Sequence, residues 1–369
     1  MSRVTGFAIE HTAILDADGR LLQPLPAWCA DPAALVELYR WMVLTRTFDT
    51  TAIALHRTGR LGTYASSRGQ EAIAIGVGHA MHPDDVLLPS FREHGAQLLR
   101  GVLPEELLLY WGGDERGSNY SAPACRQDFP VSITVGGHAS HATGVALAFK
   151  LRGEARAAVC LFGDGATSKG DVYEAMNFAG VQQLPVVFVV SNNAWALSTP
   201  RAEQSAGMTI AQKAIAAGFT GEQVDGNDVI AVRTRVGEAI DRARSGNGPH
   251  FLECLTYRMS DHTTVDDASR YRNPEEVEPW EARDPLSRLR AYLVGNGAWD
   301  EARDDTLRAS CAATIDTAVQ AYLDTPPQPP ETLFDFLFEA PPQALREQRR
   351  TMLDAVKAAQ ARAEASGNV

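Results

Sequence analysis

Apolar residues along this chain recur in two rhythms, and the rhythms alternate. From residue 31 to 59, "DPAALVELYRWMVLTRTFDTTAIALHRTG" repeats its apolar positions every three or four residues behind a capping Asp31 and a Pro32, which predicts a long amphipathic helix closed by Gly59. A second helix is predicted through "RGQEAIAIGVGHAM", and "DDVLLPS" reads as a short buried strand ending near Ser90. Past a polar, irregular stretch from Tyr110 to Ser132 the alternation becomes regular. Helix "HASHATGVALAFKLRG" precedes strand "RAAVCLF", helix "KGDVYEAMNFAGVQQ" precedes strand "PVVFVVS", and helices around 210–217 and 229–245 precede strand "HFLECLTYR". Short apolar strands separated by helices belong in a parallel sheet covered on both faces. The expected fold class is α/β, doubly wound and mostly parallel, with a C-terminal helical extension.

The same pattern divides the chain. Residues 1–30 form a mixed, turn-rich N-terminal extension, and 31–258 the α/β domain. Residues 259–283, which open with "MSDHTTVDDASRYRNPEEVEPW", are polar and without periodicity, longer than most connections in a packed domain, so they read as a functional loop. Residues 284–369 return to helices, interrupted by the proline-rich "TPPQPP".

Chemistry concentrates where two strands stop. "AAVCLF" runs into Gly163-Asp164-Gly165, and "VVFVVS" runs into Asn192-Asn193. Open parallel sheets bind ligands beyond the carboxyl ends of their strands, so adjacent strands would set the Asp164 carboxylate beside the Asn193 amide oxygen. Hard oxygen donors suit Mg²⁺ or Ca²⁺, and a site with one carboxylate leaves coordination positions for water, carbonyls and phosphate. The glycines let a ligand approach the backbone, and the helix expected from Gly170 directs partial positive charge toward an anion. "GDGATSKG" lacks the Gly-Lys-Ser/Thr ending of a P-loop, and no Gly-x-Gly-x-x-Gly opens a helix after a strand. A metal-diphosphate site is what remains.

Composition narrows the partners. A formal charge of −12 and a pI near 5.3 argue against nucleic-acid binding, which is driven by phosphate neutralisation. The longest apolar runs fall far short of a membrane span. Five scattered cysteines, without a Cys-x-x-Cys pair, read as reduced structural thiols, and the expected location is the cytoplasm.

At "GDG" and "NN", separated here by the 26 residues 166–191, the chain resembles the thiamine-diphosphate enzymes. The likeness extends through "LYRWMVLTRTFD", "GRLGTYASSRGQEA", "VGGHASHATGVAL", "YRMSDHTTVDDASRYR" and "DPLSRLRAYL", and is to the alpha subunit of the decarboxylating component of 2-oxo acid dehydrogenase complexes. That resemblance implies Mg²⁺ on Asp164, Asn193 and the backbone carbonyl of Trp195. It implies thiamine diphosphate held by backbone groups of Gly165 and Ala166, by Arg92 and Phe91, by Val135 along the aminopyrimidine, and by His262, the catalytic residue on the long loop. A nearby diphosphate and Asp261 would favour the protonated form of His262.

The resemblance also implies a partner. The glutamate that activates the cofactor ring comes from a beta subunit in such enzymes, so an alpha2beta2 heterotetramer is expected, inactive without beta and passing its acyl group to a lipoyl acyltransferase component. The implied reaction is oxidative decarboxylation of a small 2-oxo acid. Ile133, where branched-chain relatives carry a small residue, favours pyruvate; branched-chain 2-oxo acids and acetoin are the alternatives. A non-catalytic phosphate-binding or scaffold protein of the same fold is the reading from a different class.

Overall fold

The apolar runs pair into one sheet. The computed structural model describes residues 6–335 and 337–365, in chain order β1 (His11–Thr12), α1 (Pro32–Arg57), α2 (Glu71–Ala80), β2 (Val86–Leu88), α3 (His94–Leu99), α4 (Pro104–Trp111) and α5 (His138–Arg152). Next come β3 (Ala158–Gly163), α6 (Gly170–Gln182), β4 (Val186–Asn192), β5 (Thr220–Asp225), α7 (Val229–Arg244), β6 (His250–Leu255), α8 (Pro285–Gly295), α9 (Glu301–Asp324) and α10 (Gln343–Ala365). The strands lie in the order β1-β5-β6-β4-β3-β2, every neighbouring pair parallel.

Strand alternation divides the core between two helical layers. Val159, Leu161, Val187, Val189 and Leu252 face α1, α2, α7 and α8, while Cys160, Phe162, Val186, Phe188 and Val190 face α5 and α6. Wholly apolar strands are what this two-sided burial requires. The chain moves from β3 to β4 in one direction across the sheet and from β5 to β6 in the other. Right-handed crossovers then place α6 and α7 on opposite faces, and the strand ends diverge between β4 and β6. A third apolar cluster, with Phe48, Tyr64, Leu108 and Trp111, joins the C-terminal half of α1 to α3 and α4.

Local signals explain most element boundaries. Asp31 caps α1 by accepting from Ala33 N at 2.9 Å, with Pro32 first in the helix. The structure adds elements that periodicity does not predict. β5, "TGEQVD", has polar side chains at most positions, and β1 is a two-residue strand inside the turn-rich N-terminus. The expected helix at 210–217 is one turn, Gln212–Ala216, and "HFLECLTYR" pairs only as far as Leu255.

Two compact units divide the chain after Tyr322. The second carries α10, whose half-buried Leu345, Met352, Leu353 and Val356 share one face. All five cysteines are free and buried. Among the described residues, no helix is long and apolar enough to cross a membrane.

Candidate active site

Parallel register brings the two strand-end motifs together. Gly163 pairs with Ser191 across β3 and β4, so Asp164 and Asn193 leave the sheet side by side. The two asparagines then part. Asn192 Nδ2 donates to Glu253 Oε1 at 2.7 Å and serves the sheet. Asn193 faces the space beyond the strands, its Nδ2 donating to Gln70 Oε1 and its Oδ1 accepting from Trp195 N, both at 3.2 Å. That pairing fixes the amide with its oxygen toward Trp195.

Asp164 is 1% exposed, and among the described residues neither carboxylate oxygen has a partner within hydrogen-bond geometry. Burial pushes its pKa up to about 6; the nearby backbone N–H groups of Asp164, Asn193 and Gly165, which fall short of hydrogen-bond geometry, and the Arg258 guanidinium offset only part of that. A buried carboxylate left without partners is costly in a folded chain, and a cation would satisfy it. The neighbouring backbone is shaped for close approach: a Cβ on Gly165 would stand 2.9 Å from the Ala196 Cβ. Ala194 and Leu197 bracket Trp195 and Ala196 with φ of 69° and 55°, a left-handed conformation that costs a non-glycine residue about 1 kcal/mol or more.

All nine residues singled out from the sequence, Phe91, Arg92, Val135, Asp164, Gly165, Ala166, Asn193, Trp195 and His262, line one cavity of about 440 Å³. Gln70, Glu93, Trp111 and Ile133 complete much of its wall, and Gln70 Nε2 joins the two Asp164 oxygens as a buried polar atom without a partner among the described residues. A larger groove, about 1070 Å³, runs between α1 and residues 296–314, but it contains no buried unpartnered polar atom. The smaller cavity has the chemistry.

Its other wall is cationic. Arg92 donates from Nη1 to the Ser66 carbonyl at 2.5 Å and from Nη2 to the His262 carbonyl at 2.7 Å and His262 Nδ1 at 2.9 Å. Behind it lies Arg258, 1% exposed, whose Nη2 donates to Tyr271 Oη at 2.7 Å and whose Nη1 is 3.4 Å from His262 Nδ1. Among the described residues neither guanidinium has a carboxylate within ion-pair distance. Burial and mutual repulsion lower Arg92 to about 10, and burial lowers Arg258. Two buried cations without a counterion make an anion site.

Without an anion in the cavity, these arginines oppose protonation of His262. Burial, then Arg92 and Arg258, hold its pKa near 3. Asp261 is occupied by the Ala268 N–H, and Asp266 accepts from the His262 backbone. Because Nδ1 accepts from Arg92, the ring proton sits on Nε2, so in the protein's own field His262 is a neutral donor.

Three contributors escape sequence reasoning. By pattern alone Arg258 belongs with the loop cluster, Gln70 is only part of a helix, and Glu253 is strand interior. A charged residue inside an apolar strand is the available signal for Glu253, which also accepts from Ile210 N and Ala211 N. Nothing local marks the other two.

Residues 39–331 match the family described as the dehydrogenase E1 component. The chain belongs to that family. It is 41% identical over 320 residues, 86% of each chain, to the 3-methyl-2-oxobutanoate dehydrogenase subunit alpha of Mycobacterium tuberculosis. Over 340 residues it is 38% identical to a pyruvate dehydrogenase E1 component subunit alpha of Staphylococcus aureus, covering 92% of this chain and 91% of the relative. The E1 family depends on thiamine diphosphate, and likeness to these alpha subunits makes this chain an E1 alpha subunit, in agreement with the resemblance drawn from its motifs.

Proposed function

We propose that this chain is the alpha half of an enzyme that oxidatively decarboxylates a small 2-oxo acid, with thiamine diphosphate and Mg²⁺ held in the 440 Å³ cavity. One observation carries the reading: Asp164, a buried carboxylate without a hydrogen-bond partner among the described residues, shares a cavity with Arg92, a cation lacking its own counterion. Each needs a partner of opposite sign, and a metal-bound diphosphate supplies both. A non-catalytic scaffold would have no use for either.

Asp164, Asn193 Oδ1 and the Trp195 carbonyl would take the metal, a set of hard oxygens suited to Mg²⁺. Arg92, the backbone of Gly165 and Ala166, and His262 would take the anion. Thiamine diphosphate, when bound, supplies the electron sink for loss of CO₂. The chain's own residues set the conditions. Phe91, Val135 and Trp111 give the cavity apolar wall, and Asp164, ionised above about pH 6, favours the cation. His262, whose Nδ1 accepts from Arg92, presents its Nε2 proton to a substrate or cofactor oxygen as a hydrogen-bond donor.

A beta subunit completes the site in our reading, as an alpha2beta2 heterotetramer that transfers its acyl group to a lipoyl acyltransferase. Five buried thiols, none of them in a disulfide, support a cytoplasmic location. Pyruvate is the substrate we favour, because Ile133 fills part of the wall. The 41% identity to a branched-chain enzyme's alpha subunit supports 3-methyl-2-oxobutanoate as the second reading.

Calorimetry with thiamine diphosphate and Mg²⁺, on the chain with and without its beta subunit, tests the proposal. Binding by the pair that disappears in Asp164→Ala is expected; no binding by the wild-type pair refutes the enzyme reading. Turnover of pyruvate against 3-methyl-2-oxobutanoate then ranks the substrates. Ile133→Ala should shift that ratio toward the branched acid by about tenfold, the scale of one or two methylenes in a pocket.

A further inference from the structure

Asp49 lies on α1, buried, with no basic side chain within ion-pair distance among the described residues. Its two oxygens accept four hydrogen bonds, all from residues 64–67: Tyr64 Oη at 2.9 Å, Ser66 Oγ at 2.7 Å, Ser67 N at 2.6 Å and Ser67 Oγ at 3.2 Å. One carboxylate therefore sets the path of a whole turn.

That turn carries the cationic wall of the cavity. The Ser66 carbonyl receives Arg92 Nη1 at 2.5 Å. Tyr64 and Thr264 bond each other twice, Tyr64 N to Thr264 Oγ1 at 3.0 Å and Thr264 N to the Tyr64 carbonyl at 2.8 Å, so the turn also anchors the loop that bears His262. Ser260 Oγ adds a contact with Ser66 Oγ at 3.3 Å. A second chain of bonds converges from the cavity side. Trp111 Nε1 donates to His94 Nε2 at 3.0 Å, which leaves the His94 proton on Nδ1, 3.4 Å from the Tyr64 hydroxyl that donates to Asp49. The hydroxyls of Tyr64, Ser66 and Ser67 and the Ser67 N–H all donate to this one carboxylate.

We propose that Asp49 is a positioning residue: through the 64–67 turn it sets the direction of the Arg92 guanidinium and pins residues 260–264, and so controls how tightly the cofactor's anionic end is held. This rests on the reading that the cofactor binds in this cavity. Asp49 itself touches none of the cavity-lining atoms that would contact ligand.

The test uses the assembled alpha and beta pair and three variants. In Asp49→Asn one oxygen must serve four donors, so the turn relaxes; Ser66→Ala cuts one of the four bonds and keeps the carboxylate. Arg92→Ala is the control for the site. The readouts are the calorimetric Kd for thiamine diphosphate in Mg²⁺, the rate of tryptic cleavage at Arg270 and Arg272, kcat at saturating cofactor, and Tm. We expect Asp49→Asn to weaken cofactor binding about tenfold and speed loop cleavage several-fold at temperatures well below its Tm, with kcat changed less than Kd. Ser66→Ala should do the same about threefold, and decides the question if Asp49→Asn does not fold. Wild-type Kd and wild-type cleavage in the folded variants, with only Tm lowered, overturns the proposal and leaves Asp49 a core residue. If Arg92→Ala also binds cofactor as wild type does, the site reading fails instead.

Discussion

Two buried aspartates stand just beyond the carboxyl ends of strands in the same sheet, and they have opposite fates. Asp228, three residues after β5, is fully satisfied. Its Oδ2 accepts from Ile14 N and Leu15 N, both at 2.7 Å, and its Oδ1 from Ile230 N and Ala231 N at 3.0 and 3.1 Å. It caps α7 and ties the N-terminal segment to the sheet. Asp164, directly after β3, has no partner within hydrogen-bond geometry on either oxygen among the described residues. Burial raises the pKa of both. In one place the fold supplies the compensation, and in the other it withholds it. A satisfied carboxylate is structure, whereas a buried one that the fold leaves bare is kept for something the chain must bind.

The largest effect that tests this contrast is the loss of binding in Asp164→Asn. In the assembled pair, affinity for thiamine diphosphate with Mg²⁺ should fall at least a hundredfold. Without cofactor, the same variant should be no less stable than wild type at pH 8, and is expected to be more so. The folded chain keeps the Asp164 proton up to about pH 6, whereas the unfolded chain releases it near 3.8. Stability therefore falls as pH rises across that window, and above it the charge costs about 3 kcal/mol, which the amide avoids. Melting curves with and without cofactor check both halves. Lower stability of the apo variant would show that Asp164 is structural after all.

Asp228→Ala should behave in the reverse way. It leaves four backbone N–H groups without an acceptor, at a cost of roughly 2–4 kcal/mol. In pairs that remain folded, the Kd for thiamine diphosphate should stay within about threefold of wild type. Urea unfolding measures the first quantity and calorimetry the second. A variant that loses cofactor binding in proportion to stability would erase the distinction between the two aspartates.

The contrast also explains what is legible in the sequence. Gly163-Asp164-Gly165 and Asn192-Asn193 can be placed because each ends or directly extends an apolar strand, and parallel strands deliver their ends to one side. β5 is not legible, because its polar residues are neutralised by partners far along the chain. Glu222 meets Arg235 and His250, and Gln223 Nε2 meets Glu253 Oε2 at 3.1 Å. The role of Asp228 is equally hidden, since half of its donors lie more than two hundred residues away. Local pattern finds a site when the residues that form it end adjacent strands. It misses the residues that hold the site in place when only tertiary contacts bring them together, as with Asp49 and the 64–67 turn or Gln70 and Asn193.

The smallest predicted effect sharpens the comparison further, because it sets two groups of one cavity against each other in one pH window. His262 is held near 3 by burial and by Arg92 and Arg258, with Asp266 opposing them weakly, while its unfolded form protonates near 6.5. As pH falls below 6.5 the unfolded chain takes up a proton that the folded chain refuses, so His262 makes the protein less stable toward acid. Asp164 acts with the opposite sign, since acid returns the proton its buried carboxylate favours. Between about pH 7.5 and 5.0, without cofactor, His262→Gln should therefore lose less Tm than wild type, and Asp164→Asn should lose more, each by on the order of a degree or two for a chain of this size. Both shifts are read against wild type in the same buffers, which cancels every other titrating group. If His262→Gln follows the wild-type curve, the guanidiniums do not hold the ring neutral, and the assignment of His262 as a fixed donor falls with them.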